Sequence, residues 1–199
     1  YAFADQADVV INARLAADAQ GATKMDRPEW GAVDPLTGDV YMTLTNNNAT
    51  LRTLAATDAA NPRHYNDART NGTAQRGNPN GHIVRLKEGT GAAQATAFTW
   101  DVYLFGAEAS ADAGKINLSN LTADQDFSSP DGLAFSPYTG ICWIQTDDGA
   151  YTDVTNCMML AAVPGQVGDG GKVTLNYPQA SGATLAVDTF VGKKPAQDT

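Results

Sequence analysis

The sequence has few cysteines, few basic residues and no long apolar run, and each shortage excludes a class of protein. Only two of the 199 residues are cysteine, so cysteine content by itself fixes no redox compartment. No apolar run approaches the ~20 residues that a membrane-spanning helix needs. Thirteen basic residues stand against 22 acidic ones, a net charge of −9. This balance argues against a nucleic-acid partner, because phosphate contacts need a basic face.

Several catalytic motifs are missing as well. There is no serine nucleophile elbow, no HExxH zinc motif, no phosphate-binding glycine loop and no CxxC pair. The chain begins at Tyr1 without a methionine or a signal peptide, so we expect it to be a piece of a longer protein. The excess of carboxylates leaves two interpretations open: a solvated acidic surface, or binding of hard cations through oxygen ligands.

The first 20 residues carry the one convincing helical pattern. Apolar side chains recur there at three- and four-residue spacing, with acidic and amide side chains away from that stripe. The apolar positions are Phe3, Ala7, Val10, Ile11 and Leu15. The pattern predicts an N-terminal helix over residues 1–20 that ends at Gly21.

From Pro28 onward the pattern changes to short strands and turns, punctuated by glycine and proline, which is typical of an all-β fold. The predicted strands are Trp30–Val33, Asp39–Thr45, Gly81–Lys87, Ala97–Phe105, Gly132–Phe135, Ile141–Thr146, Cys157–Ala162, Lys172–Asn176 and Leu185–Val191. Long polar insertions at 46–80 and 106–129 interrupt them, and loops of this length are generally functional or disordered. No linker divides the chain, so residues 1–199 are predicted to belong to a single domain.

An internal repeat is the most informative feature of the sequence. Residues 28–38, PEWGAVDPLTG, align without a gap on residues 130–140, PDGLAFSPYTG. Each copy predicts a hairpin, and repeated hairpins with additional strands are typical of propeller blades. The copies lie 102 positions apart (130 − 28), about twice the ~40–50 residues of a usual blade, so an unmarked blade or a long insertion separates them. The chain is predicted to be a partial β-propeller of about two to three blades, since a closed ring needs at least ~4.

An acidic residue follows the first proline of both copies, Glu29 in one and Asp131 in the other. The innermost strand of a propeller blade faces the central channel, so equivalent carboxylates from two blades should converge at one mouth. Converging like charges are costly unless a cation lies between them. We therefore predict that Glu29 and Asp131 are metal ligands. The alternative is that each acidic residue caps a turn.

Other acidic residues and one histidine are weaker candidates. Asp147 and Asp148 follow the second hairpin and could ligate a metal or form a turn before a glycine. Glu88 lies at the end of a predicted strand and is a further candidate ligand. His82 could also bind a metal, although a single histidine beside a strand more often makes a local hydrogen bond.

Three arginines are candidate phosphate ligands, because a guanidinium makes forked contacts to phosphate oxygens. They are Arg27, Arg63 and Arg85. The alternatives are solvated side chains and, for Arg85, a weak surface pair with Glu88.

The two cysteines, Cys142 and Cys157, lie on consecutive predicted strands. A cross-strand disulfide and two separate thiols are both compatible with this placement.

Several segments together resemble one known family. They are ADQADVVINARLAAD at 4–18, GATKMDRPEW at 21–30, VYMTLTNN at 40–47, NPR at 61–63, GHIVR at 81–85, WIQTD at 143–147 and MLAA at 159–162. In this order they resemble the middle of a PhoX-type alkaline phosphatase, and the resemblance extends over nearly the whole chain.

The resemblance implies a six-bladed, monomeric propeller, exported by the twin-arginine route to the periplasm or outside the cell. It implies a centre of Ca²⁺ and Fe³⁺ at the channel mouth that hydrolyses small-molecule phosphomonoesters. Glu29 matches the family's metal-binding glutamate, and Asp131 resembles the aspartate of its second propeller motif. The family's iron-binding cysteine is expected before Tyr1 and a further glutamate after Thr199. We therefore expect residues 1–199 alone to be inactive.

Two other functions fit the residues. One is a calcium-dependent propeller hydrolase of the lactonase type, which also places Glu and Asp on the propeller axis. The other is a binding propeller without chemistry, in which Glu29 and Asp131 hold one structural ion.

Overall fold

The N-terminal segment forms two short helices, not the single predicted helix. The computed structural model describes residues 1–89, 94–147, 153–154 and 156–193, and places α1 at Gln6–Ile11 and α2 at Ala13–Ala19. Asn12 separates them because its side-chain amide donates to the Asp8 carbonyl oxygen (3.2 Å) and to the Asp8 carboxylate (2.7 Å). Asparagine commonly competes with the helical backbone in this way. No residue of either helix is buried, and no helix among the described residues has the length and apolar content to cross a membrane.

The strands form an open, partial β-propeller, which confirms the predicted all-β class. Their bounds are β1 Pro28–Val33, β2 Val40–Leu44, β3 Asn47–Asn48, β4 Tyr65–Asn66, β5 Arg76–Asn78, β6 His82–Glu88, β7 Phe98–Phe105, β8 Pro130–Phe135, β9 Cys142–Thr146, β10 Met159–Ala162, β11 Gly171–Pro178 and β12 Thr184–Val191. All nine predicted strands are present, and each end lies within two residues of the predicted one.

Two blades carry the repeated hairpins. The first is the antiparallel sheet β1-β2-β6-β7, and the second is the antiparallel sheet β8-β9-β10. The β11–β12 hairpin extends the first sheet through a parallel contact between Val191 and Val102. β1 packs beside β8, so the two innermost strands are neighbours. The hairpins thus occupy equivalent places in two separate sheets, as the repeat predicts.

The 102-residue repeat extends to the backbone hydrogen bonds. Pro28 faces Leu44, and at the equivalent position Pro130 faces Thr146; each pairing is followed by the same β-bulge. The Asp34 amide donates to the Asp39 carbonyl (2.9 Å) just as the Ser136 amide donates to the Ile141 carbonyl (2.9 Å).

The polar insertion at 46–80 is ordered around a small sheet, β3-β5-β4, that the sequence pattern did not predict. A 3₁₀ turn at Leu54–Ala56 follows β3. The apolar core consists of two clusters, one between the blades around Tyr41, Tyr103 and Ile144, the other around Leu44, Phe105 and Val187.

The predicted disulfide alternative is wrong. Cys142 is buried and faces Ala162 at one end of the β9–β10 pair. Cys157 is exposed and lies at the opposite end of the pair, next to Met158, whose amide donates to Thr146 Oγ1. The two cysteines therefore do not form a disulfide with each other. Burial raises the pKa of the Cys142 thiol to about 12, so this cysteine stays protonated.

Candidate functional site

Matched β-bulges present Glu29 and Asp131 at equivalent positions of neighbouring blades. In β1, the pair Glu29 and Trp30 lies opposite one residue of β2, and in β8, Asp131 and Gly132 lie opposite one residue of β9. A bulge of this kind changes the direction of the side chains it contains. Glu29 is exposed and Asp131 is half-buried, so both carboxylates reach solvent.

One threonine connects the two bulges. The Trp30 amide donates to Thr43 Oγ1 (2.9 Å), and Thr43 Oγ1 donates to the Asp131 carbonyl oxygen (2.7 Å). Thr43 is fully buried. The Thr43 hydroxyl group therefore links the two carboxylate-bearing segments, and the convergence of the carboxylates themselves stays a prediction.

The residues before the two prolines have the same unusual backbone. Arg27 has φ 51° and Ser129 has φ 52°, in the left-handed region that non-glycine residues seldom adopt. Each carbonyl accepts a hydrogen bond from the equivalent amide, Thr45 to Arg27 (3.2 Å) and Asp147 to Ser129 (2.9 Å). Asn46 then bridges the blades, since its amide nitrogen donates to Ser129 Oγ (3.1 Å) and its oxygen accepts from Arg27 (2.8 Å).

Arg27 is the candidate phosphate ligand that lies beside Glu29. Its Nη2 is 3.3 Å from Glu29 Oε1, and 54% of its side chain is exposed. An exposed pair of this kind contributes little to stability. Its Nη2 can therefore turn from Glu29 toward an anionic ligand at little cost while Nη1 stays bonded to Asn46.

Asp147 and Glu88 differ in placement. Asp147 is exposed and lines the same cleft as Asp131; Asp148 lies outside the described residues. Glu88 lies at the far end of β6, six residues beyond His82, which faces the Leu44 end of β2. Since a strand rises ~3.3 Å per residue, Glu88 is roughly 20 Å along the strand from the Glu29 end of the sheet. The structure does not bring Glu88 to the other carboxylates.

Arg85 is fully buried in a separate cluster. Its Nε and Nη2 donate to the two oxygens of Asp101 (2.7 and 3.0 Å), and Nη2 also donates to Asp169 (2.6 Å) and to the Gln166 carbonyl (2.8 Å). Burial alone would lower the pKa of Arg85, but the hydrogen bond and charge of Asp101, with the charge of Asp169, raise it above its usual value. This guanidinium anchors the loop before β11 and makes no surface pair with Glu88.

Arg63 is also fully buried and holds three segments together. It donates to the carbonyl oxygens of Gly106 (2.7 Å), Ile116 (2.8 Å) and Gly81, and to Asn78 Oδ1 (2.8 Å). Its guanidinium lies 4.6 Å from the centre of the Phe105 ring. The contacts are those of a residue that orders the loops behind the blades.

A buried polar network lies behind β1, and the sequence patterns did not predict it. Asp26, fully buried, accepts hydrogen bonds from Arg52 Nε (2.7 Å), Asn47 Nδ2 (2.9 Å) and Asn78 Nδ2 (3.0 Å). The Asp26 amide donates to Asn61 Oδ1 (3.0 Å). The insertion at 46–80 thus fixes the chain just before Arg27 and Glu29. The one signal in the sequence was the density of Asn and Arg in that insertion.

His82 belongs to the same network. Its Nε2 donates to the Ala60 carbonyl (2.7 Å), so its Nδ1 accepts from Asn78 Nδ2 (3.0 Å). Burial lowers the pKa of His82 to about 4, against a smaller raising effect of the Asp26 charge. The ring is neutral, both nitrogens are engaged, and it does not serve as a metal ligand in this arrangement.

An open cleft of about 650 Å³ is lined by Asp131, Asp147 and the neighbour of Glu29 in the β1 bulge, Trp30. Asp131, Thr146 and Asp147 form its polar side, while Trp30, Met158 and Met159 contribute apolar surface. The cleft therefore joins oxygen donors to an apolar wall.

The carboxylates suit a hard cation in chemistry but supply only part of a coordination shell. Carboxylate oxygens are preferred ligands of Ca²⁺ and also suit Fe³⁺. Within the described part of the chain, however, no group of three or more His, Cys, Asp or Glu side chains is arranged to hold a metal ion. The prediction that Glu29 and Asp131 ligate a metal therefore requires further ligands from outside the described residues.

Comparison with known proteins gives one family and one solved structure. Residues 1–193 match the family described as alkaline phosphatase PhoX. The structure of Pseudomonas fluorescens PhoX in complex with vanadate, a transition state analogue, is similar to this chain, with a TM-score of 0.65 and 34% sequence identity. The match covers 94% of this chain but 28% of that chain, so the chain spans little more than a quarter of its solved relative. Comparison with curated protein sequences finds no match. Because the family match covers almost every residue, this chain belongs to the PhoX alkaline phosphatase family.

Proposed function

We propose that the chain forms part of the active-site mouth of a metal-dependent phosphomonoesterase. The observation that supports this most directly is the pair of equivalent carboxylates, Glu29 and Asp131, held on neighbouring blades through Thr43. In this proposal they ligate Ca²⁺ and Fe³⁺ together with residues of the intact protein outside positions 1–199. Asp147, at the edge of the same cleft, is the third candidate ligand.

Bound cations would supply charge neutralisation at the transferring phosphoryl oxygens and an activated oxygen nucleophile. The chain's own residues would position the cations and bind the phosphate group. Glu29 and Asp131 fix where the cations lie, the Thr43 hydroxyl keeps the two blades in register, and Arg27 donates to a non-bridging phosphate oxygen. Arg63 and Arg85 order the loops that support this mouth, since both guanidiniums are fully buried.

The substrates would be small phosphomonoesters in the periplasm or outside the cell, the location that follows from the export expected of the family. Residues 1–199 alone would bind Ca²⁺ weakly and show no turnover above background, because several ligands are missing and a metal site needs a fixed geometry.

The test compares the intact protein that contains this segment with variants E29Q and D131N. We expect each variant to lose metal affinity by at least ~10-fold, the lower end of losses seen for residues around metal sites, and to lose 4-nitrophenyl phosphate hydrolysis in parallel. Metal content after dialysis, measured by mass spectrometry, gives a readout independent of turnover. The matched control is D188N, an exposed carboxylate in β12 that pairs with Lys172.

Full metal content and activity in both variants would contradict the ligand assignment. Lactone hydrolysis in place of phosphomonoester hydrolysis by the intact protein would contradict the reaction class. Robust turnover by residues 1–199 alone would contradict the shared site.

A further inference from the structure

Trp30 occupies an exposed position directly beside the proposed metal ligands. It follows Glu29 in the β1 bulge, 54% of its surface is exposed, and it lines the cleft with Asp131. Its equivalent in the second blade, 102 residues later, is Gly132, which has no side chain. The asymmetry places one large aromatic ring at the mouth of the cleft, where strict repetition would place two.

Methionines continue this apolar surface. Met158 and Met159 line the same cleft, and 61% of Met159 is exposed. Exposed apolar side chains scattered singly need no explanation, but several that line one cleft beside polar groups are typical of a binding site. Methionine is adaptable and makes favourable contacts with aromatic rings.

The two sides of the cleft differ in what they offer a leaving group. Asp131 and Asp147 lie on its polar side and, in the proposed function, are engaged with cations. The apolar side offers few partners to the hydroxyl groups of a polyol. A neutral aromatic group would meet the indole ring and the thioether side chains.

From this arrangement we propose that Trp30, with Met158 and Met159, forms a subsite for the leaving group of an aryl phosphomonoester. Trp30 is then a specificity-determining residue that favours aryl over polyol esters. This inference rests on the proposed function, since it takes the phosphoryl group to lie at Glu29 and Asp131 with the leaving group directed toward the apolar wall.

The experiment measures kcat/KM of the intact protein for phenyl phosphate and for glycerol 2-phosphate. The ratio of the two values in each variant, divided by the ratio in the wild type, removes the intrinsic difference in reactivity between the esters. In W30A we expect this relative ratio to fall about 3- to 10-fold, the size expected for the loss of an aromatic contact. W30F should retain most of the preference, and M159A should lower it by a smaller factor.

Two further measurements separate a lost contact from a distorted site. The competitive inhibition constant of inorganic phosphate should be unchanged in W30A, because phosphate has no leaving group. Y138A is the matched control, since Tyr138 is an aromatic residue with 93% exposure in the tight turn of the second hairpin, at the other end of the blade. It should leave the ratio unchanged.

An unchanged ratio in both W30A and M159A would overturn the inference while leaving the phosphatase intact. An equal fall in Y138A, or a parallel loss of phosphate binding in W30A, would also overturn it. If the wild-type protein hydrolyses neither ester, the proposed function itself fails, and this inference fails with it.

Discussion

Replacing Asp26 with asparagine should destabilise the chain more than any change at its exposed carboxylates. Asp26 is fully buried and accepts from three donors, on Arg52, Asn47 and Asn78. Asparagine keeps the size but replaces one acceptor oxygen with a donor NH₂, which would face donors. It also removes the charge that compensates the guanidinium of Arg52, a residue with only 3% exposure.

The expected magnitude follows from the burial of this pair. Removing one partner of a buried ion pair leaves an uncompensated charge and costs about 3–5 kcal/mol. For a domain of about 200 residues each kcal/mol lowers Tm by roughly 2–4 °C, so D26N should melt roughly 6–20 °C below the wild type. One other carboxylate lies close enough to compensate in part: Asp58 Oδ2 is 3.8 Å from Arg52 Nη1. The double variant D26N/D58N should therefore lose more than D26N.

Thermal unfolding at pH 7, followed by circular dichroism, measures the change. The control is D188N, because Asp188 is exposed and pairs with Lys172 and Thr174 at the surface (2.6 Å each). The Tm of D188N should equal that of the wild type. A free energy of unfolding of D26N within about 1 kcal/mol of the wild-type value would refute the reasoning. It would mean that the buried charge of Arg52 does not need the Asp26 carboxylate.

Two more predictions concern the same region. His82 has a folded pKa of about 4, below the 6.5 of an unperturbed histidine, so the unfolded chain binds more protons between these values. The stabilisation is fully present above pH 6.5 and is lost as the pH falls toward 4, roughly 3 kcal/mol in all; unfolding free energies at several pH values should show a flatter profile in H82Q, and an identical profile would contradict the assignment. Gly81 has φ +63°, and a Cβ there would overlap the Thr45 and Leu44 carbonyl oxygens, so G81A should cost more than the ~1–2 kcal/mol of the backbone conformation alone. G38A is its control, since Gly38 has φ +76° with open space around it, and equal melting temperatures of the two variants would argue against the close approach.

Much of the fold could be predicted from the sequence because it depends on local patterns. The nine principal strands follow apolar alternation and turn residues. The equivalence of the two hairpins follows from PEWGAVDPLTG and PDGLAFSPYTG, and it extends in the structure to the bulges and to the φ values of Arg27 and Ser129. The same repeat singled out Glu29 and Asp131.

The roles of the arginines were beyond the reach of the sequence, since they depend on burial. Arg27, Arg63 and Arg85 are equally plausible phosphate ligands in a linear chain, but Arg27 is exposed while the other two are buried against carbonyl and carboxylate oxygens. The N-terminal helix is divided at Asn12 because the Asn12 side chain bonds to the Asp8 carbonyl, a contact that hydrophobic periodicity does not predict.

The sequence by itself determined the class of fold, the hairpin repeat, the candidate metal ligands and the family resemblance, because each can be recognised from the residue pattern within short segments. Only the tertiary structure decided what the polar insertion at 46–80 does. Its Asn and Arg side chains meet Asp26 from 21 to 52 positions away, and such contacts leave no periodicity in the sequence. It also decided that Thr43 joins the two blades, since that hydrogen bond connects residues 88 positions apart.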